Sequence, residues 1–110
     1  MNRILVVEDE QSMRNLLELM LRKEGYAVTT AESAVHAKEM LESGQEYDLV
    51  VCRNVVIYFD RPTQERLYQT FGDVLPSDGI LVLGKVETLV GGAQQRFTLL
   101  DVRERIYRKA

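Results

Sequence analysis

The chain has 110 residues, 45% of them hydrophobic and 28% charged, with a formal net charge of −3. That composition is globular, and the length suits one domain, 1–110, with a single modest core. No apolar run reaches membrane-spanning length, no leader pattern precedes the first strand, and the lone Cys52 excludes an internal disulfide, so a cytoplasmic, reducing setting is expected.

Ile4 to Val7 is a short continuous apolar run, the pattern of a parallel strand buried on both faces. The acidic Glu8-Asp9-Glu10 stops it. Met13, Leu16, Leu17, Met20 and Leu21 then recur at helical spacing and predict an inward stripe, with Gly25 closing the helix. Tyr26 to Thr30 predicts a second strand. Ser33 is placed to cap a second helix, with Ala37, Met40 and Leu41 inward and Gly44 at its end. Asp48 to Cys52 is a third buried strand, and Val55 to Phe59 stays apolar after it, with Tyr58 and Phe59 expected in the core.

Asp60 and Pro62 mark the start of a third helix, whose buried stripe is Leu67, Phe71, Val74 and Leu75. Residues 76–79 form a turn before a fourth strand, Ile80 to Leu83. Gly91-Gly92 reads as a flexible connection. Phe97 to Leu100 and Arg105 to Arg108 read as a closing antiparallel hairpin. Alternating strands and helices predict an α/β three-layer αβα sandwich, a flavodoxin-like and Rossmann-like hybrid. Its mostly parallel sheet has order 2-1-3-4, with the hairpin at the far edge.

The first half resembles a response-regulator receiver. The residues that carry the likeness are Arg3 to Glu10, Met13 to Leu17, Glu24-Gly25-Tyr26 and Tyr47 to Val51. The resemblance implies that Glu8 and Asp9 occupy the places of a magnesium-holding acidic pair. The family's phosphate-accepting aspartate falls at Arg53, whose guanidinium accepts no phosphoryl group and sets a positive charge beside the metal position. Lys85 is the one candidate for the family's later lysine. Glu8 and Asp9 are thus vestigial metal ligands, a solvated acidic loop, or partners of Arg53 across neighbouring strand ends.

From Tyr47 to Lys109 the chain resembles the chemotaxis receptor methyltransferases, through residues 48–60, Thr63-Gln64, Leu83-Gly84, Glu87-Thr88-Leu89, Phe97 and Tyr107-Arg108-Lys109. This likeness implies that Arg53 and Asn54 line a cleft for S-adenosylmethionine, with Asn54 a vestigial cofactor contact. The glycine-rich loop that family uses after its first strand is replaced here by Glu8-Asp9-Glu10-Gln11-Ser12, and Glu32 is the acid nearest the ribose position.

The two likenesses overlap at 48–51, giving a receiver-like fragment 1–51 and a methyltransferase-like fragment 48–110. That join inside a shared strand suggests an engineered chimera. The functional expectation is a hybrid scaffold with no intact native activity, neither phosphoacceptor nor methyltransferase, no enzyme, and with no cofactor. The alternatives are a degenerate receiver-like binding or dimerisation module and a weak residual S-adenosylmethionine binder. No specific partner is expected, neither nucleic acid nor membrane, and the chain is taken as a monomer or weak homodimer. The basic stretch 103–109, interrupted by Glu104 and alternating with Ile106 and Tyr107, reads as a solvated strand face. His36 reads as a surface residue and Cys52 as an inert core thiol.

Overall fold

The computed structural model describes residues 2–55, 59–84 and 87–110. The expectations for Tyr58, the rest of 56–58 and Lys85 lie outside the described residues. In chain order the elements are β1 (Arg3–Val7), α1 (Gln11–Lys23), β2 (Ala27–Ala31), α2 (Ala34–Glu42) and β3 (Leu49–Cys52). They continue with α3 (Arg61–Val74), β4 (Ile80–Leu83), a 3-10 helix (Gly91–Arg96), β5 (Phe97–Asp101) and β6 (Ile106–Lys109).

The six strands form one sheet in the order β2-β1-β3-β4-β6-β5. Strands β1 to β4 pair in parallel, and β6 pairs antiparallel with both β4 and β5. The sheet is therefore mostly parallel with an antiparallel hairpin at its far edge, in the order the sequence pattern predicts. The hairpin reverses after β5, so β6 is the inner strand and β5 the edge. Strand β5 carries an irregularity between Leu99 and Asp101.

Side-chain alternation sorts the apolar residues into two layers. Leu5, Val7, Val50, Cys52, Leu81, Leu83 and Tyr107 face α2 and α3 and form the larger core with Leu41, Leu67, Tyr68 and Phe71. Ile4, Val6, Val28 and Val51 face α1. The helix starts follow local chemistry. Ser33 Oγ accepts the His36 N–H at 3.1 Å, and Asp60 Oδ1 accepts the Thr63 N–H at 2.9 Å. Gly25 (φ 93°) and Gly44 (φ 86°) sit just beyond α1 and α2 in the left-handed conformation. No described helix is long and apolar enough to cross a membrane.

Three sequence expectations need correction. In α1 only Leu17 and Leu21 pack on the sheet. Met13, Leu16 and Met20 are 36%, 48% and 54% exposed, because no second helix stands on that face to receive them. Gly91-Gly92 is tied rather than loose. It opens the 3-10 helix, and the Gly92 N–H donates to Glu65 Oε1 of α3 at 2.8 Å. Arg96 adds hydrogen bonds to Gln69 and Asp73 on the same helix. His36 is half-buried, and its Nδ1 is buried without a partner among the described residues.

Candidate functional site at the carboxyl end of the sheet

Strand order reverses direction between β1 and β3, so their carboxyl ends diverge into a crevice, the usual ligand position in an open α/β sheet. Three turns meet there: Glu8-Asp9-Glu10 after β1, Arg53-Asn54-Val55 after β3, and Gly84 with Glu87 after β4.

The β3 and β4 turns are locked together by Glu87. Its side chain is only 3% exposed. Oε1 accepts the N–H of Asn54 at 2.8 Å and of Gly84 at 2.7 Å, and Oε2 accepts the N–H of Val55 at 3.0 Å. One carboxylate thus satisfies three loop amides that strand pairing leaves over. The clamp holds Asn54 in the left-handed region at φ 58°, a conformation asparagine tolerates better than most residues. It also explains Gly84. A Cβ there would lie 2.6 Å from Asn54 Oδ1 and 2.7 Å from Glu87 Oε1. Glu87 belongs to the string Glu87-Thr88-Leu89 that the resemblance rests on, yet the sequence assigned it no role. An isolated acid carries no periodicity, and its three partners are backbone amides 3, 32 and 33 positions away.

On the β1 side the picture differs from a solvated acidic loop. Glu8 is 3% exposed, while Asp9 is exposed. Burial raises the Glu8 pKa above the usual carboxylate value, and Asp9 adds to this. The amide of Glu10, which donates to Glu8 Oε2 at 3.2 Å, and the Arg53 charge oppose it. Arg53 and Glu8 are near enough to sense each other. The ion pairs within 4.0 Å among the described residues do not include one between Arg53 and Glu8 or Asp9. The described residues also contain no cluster of three or more His, Cys, Asp or Glu side chains placed to share a metal ion.

Glu10 caps α1 with its own side chain, accepting the Ser12 and Met13 N–H groups at 3.2 and 2.6 Å. The first-turn amides of α1 are therefore already occupied, and an anionic ligand group would have to displace Glu10. Cys52 lies fully buried beneath this crevice. Burial, then the charges of Glu87 and Glu8, push its thiol pKa well up, as an unreactive thiol requires. Tyr68 of α3 is fully buried close by, its hydroxyl without a partner among the described residues. Burial first, then Glu87, raises its pKa.

Residues 20–106 match the family described as "CheR methyltransferase, SAM binding domain", where SAM is S-adenosylmethionine. A probable chemotaxis protein methyltransferase from Rhizobium etli is 46% identical over 57 residues, 52% of this chain and 21% of that protein. The chain therefore spans about a fifth of that relative's length. In fold alone it is similar to phosphoethanolamine N-methyltransferase 2 of Haemonchus contortus, with a TM-score of 0.62 and 13% identity, over 74% of this chain and 18% of that one. It is also similar to the response regulator TrrA of Thermotoga maritima, 35% identical at a TM-score of 0.50, over 67% of this chain and 58% of that one. The expectation of a scaffold without native activity, and of a chain that is no enzyme, is overturned by the family match and by these methyltransferase relatives. By that match, the chain belongs to the CheR methyltransferase SAM-binding family.

Proposed function

We propose that this chain binds S-adenosylmethionine in the carboxyl-end crevice and serves methyl transfer of the chemotaxis methyltransferase type. The observation that carries the reading is the Glu87 clamp, which presents Asn54 at the mouth of the crevice with its backbone fixed and its amide free to face a ligand.

The residues present suit the cofactor's chemistry. S-adenosylmethionine carries a cationic sulfonium and ammonium, a carboxylate, and a nucleoside with several hydrogen-bonding groups. Asp9 and the buried Glu8 suit the cationic end, Arg53 suits the carboxylate, and Asn54 can donate and accept toward the nucleoside. With Glu10 occupying the first-turn amides of α1, Arg53 is the anchor left for a carboxylate. When bound, the cofactor supplies an electrophilic methyl group. The chain's own part is to hold the β3 and β4 turns rigid and to set a negative rim beside the positive centre.

The finer reading is a chimera, joined by design within residues 48–51, in which 1–51 is receiver-like and 48–110 methyltransferase-like, folded as one domain. It is supported by relatives of both kinds. In that reading Glu8 and Asp9 are also the remnant of a metal-holding pair, and the protein works in the cytoplasm without nucleic acid or membrane partners.

Calorimetric titration tests the function. S-adenosylmethionine and S-adenosylhomocysteine should both give saturable binding, weakened several-fold in Asn54→Ala and Arg53→Ala. No heat and no thermal shift with either compound would overturn the proposal. Magnesium alone should give at most weak binding, lost in Asp9→Asn.

A further inference from the structure

The face of the sheet that carries α1 is half-dressed. Six strands about 4.8 Å apart span roughly 29 Å, whereas one helix covers about 10 Å. Helix α1 covers β1 and β2 through Leu17 and Leu21. Beyond it, Leu49 on β3, Ile80 and Val82 on β4, and Ile106 on β6 lie side by side on the same face and are only half-buried. Helices α2 and α3 stand on the opposite face.

The rotation of α1 sharpens this. Arg14, Glu18 and Arg22 share one flank, and Arg22 Nη2 reaches the Val28 carbonyl of β2 at 2.9 Å. Met13, Leu16 and Met20 lie on the other flank, facing β3 and β4. Together they make an L-shaped apolar trough, with the strand residues as floor and the α1 flank as wall.

We propose that this trough is the interface of a symmetric homodimer, in which α1 of each copy fills the trough of the other. The occupant that fits is one helix with an apolar flank, about 20 Å long, and α1 is such a helix. A twofold axis sets the two α1 helices flank to flank, so that each wall closes the other's floor. A helix face and an equal strip of sheet give each copy about 400 Å² of projected contact. Side-chain relief brings this to about twice that in accessible area, close to the roughly 800 Å² per partner of a stable interface.

Sedimentation equilibrium tests the proposal. The wild-type chain should populate a dimer, and Leu16→Glu with Met20→Glu should be monomeric with unchanged circular dichroism and melting, since both side chains are half-exposed already. Leu16→Cys should form a covalent dimer on mild oxidation, because the native Cys52 is fully buried and does not compete. Glu39→Cys, on the exposed side of α2, should not. A wild-type chain that stays monomeric at every concentration overturns the proposal. So does a double variant that still dimerises, or equal cross-linking at positions 16 and 39.

Discussion

Replacing Glu87 removes a carboxylate that three amides share, and the structure sets the order of effects. In Glu87→Ala the Val55 and Gly84 N–H groups lose their acceptor in buried surroundings, while Asn54, nearer solvent, can turn to water. A buried donor left unmade costs about 1–3 kcal/mol. Water entering the vacated space recovers part of that, so the loss should be about 3 kcal/mol. In Glu87→Gln the remaining oxygen can serve Asn54 and Gly84, while the new amide group meets the Val55 N–H donor to donor. That change should cost about 1 kcal/mol. For a chain of this size, melting should fall by about 4 °C per kcal/mol, so about 4 °C for Gln and 12 °C for Ala. Urea and thermal unfolding measure the totals, and amide exchange at 54, 55 and 84 locates the change. If Glu87→Ala unfolds within about 0.5 kcal/mol of wild type, with those three amides exchanging as before, the clamp holds nothing and the reasoning fails.

Gly84→Ala should lose at least about 2 kcal/mol by urea unfolding, because its Cβ would overlap Asn54 Oδ1 and Glu87 Oε1. An unchanged midpoint would show that the two turns part easily. The Glu8 carboxyl, whose pKa is raised by burial, binds its proton more tightly folded than unfolded. Its contribution therefore favours the fold at low pH and is lost as pH rises from the ordinary glutamate range through the raised value. Glu8→Gln should thus be relatively more stable than wild type at neutral pH, the gap closing in acid. Parallel stability-versus-pH curves would contradict this. Tyr68→Phe removes a buried hydroxyl that lacks a partner among the described residues, and should be neutral or gain up to about 1 kcal/mol in urea unfolding. A clear loss would reveal an acceptor for that hydroxyl.

Strand order and helix starts were legible because they rest on local chemistry: continuous apolar runs in 4–7, 48–52 and 80–83, and oxygen-bearing caps at Ser33 and Asp60. The fate of Met13, Leu16 and Met20 was not. Helical spacing shows that a stripe exists, and only the tertiary structure shows how much of it finds a neighbour. The turn after β3 was recognised through Arg53 and Asn54, but the group that holds it, Glu87, sits 33 residues from Asn54 and bonds to backbone, which has no sequence signature. Glu8 looked like a loop acid because it follows a strand. In the fold its amide still pairs with the Ala31 carbonyl at 3.0 Å, extending the ladder by one residue and drawing the side chain inward. The functional expectation went astray for a related reason. It weighed the missing glycine loop near residues 8–12, which precede the matched stretch, more heavily than the long stretch that does match.

The irregular pairing of β5 has a consequence for how the protein behaves when concentrated. An edge strand with regular, unpaired amides invites stacking of further chains into fibres, and a bulge twists that edge out of line. The shift between Leu99 and Asp101, with Asp101 exposed, blunts growth along the hydrogen-bonding direction. Stickiness is left to a face of the sheet rather than to its rim. Crowding should then yield bounded, soluble assemblies that dissolve again on dilution, with no seeded, thread-like aggregate.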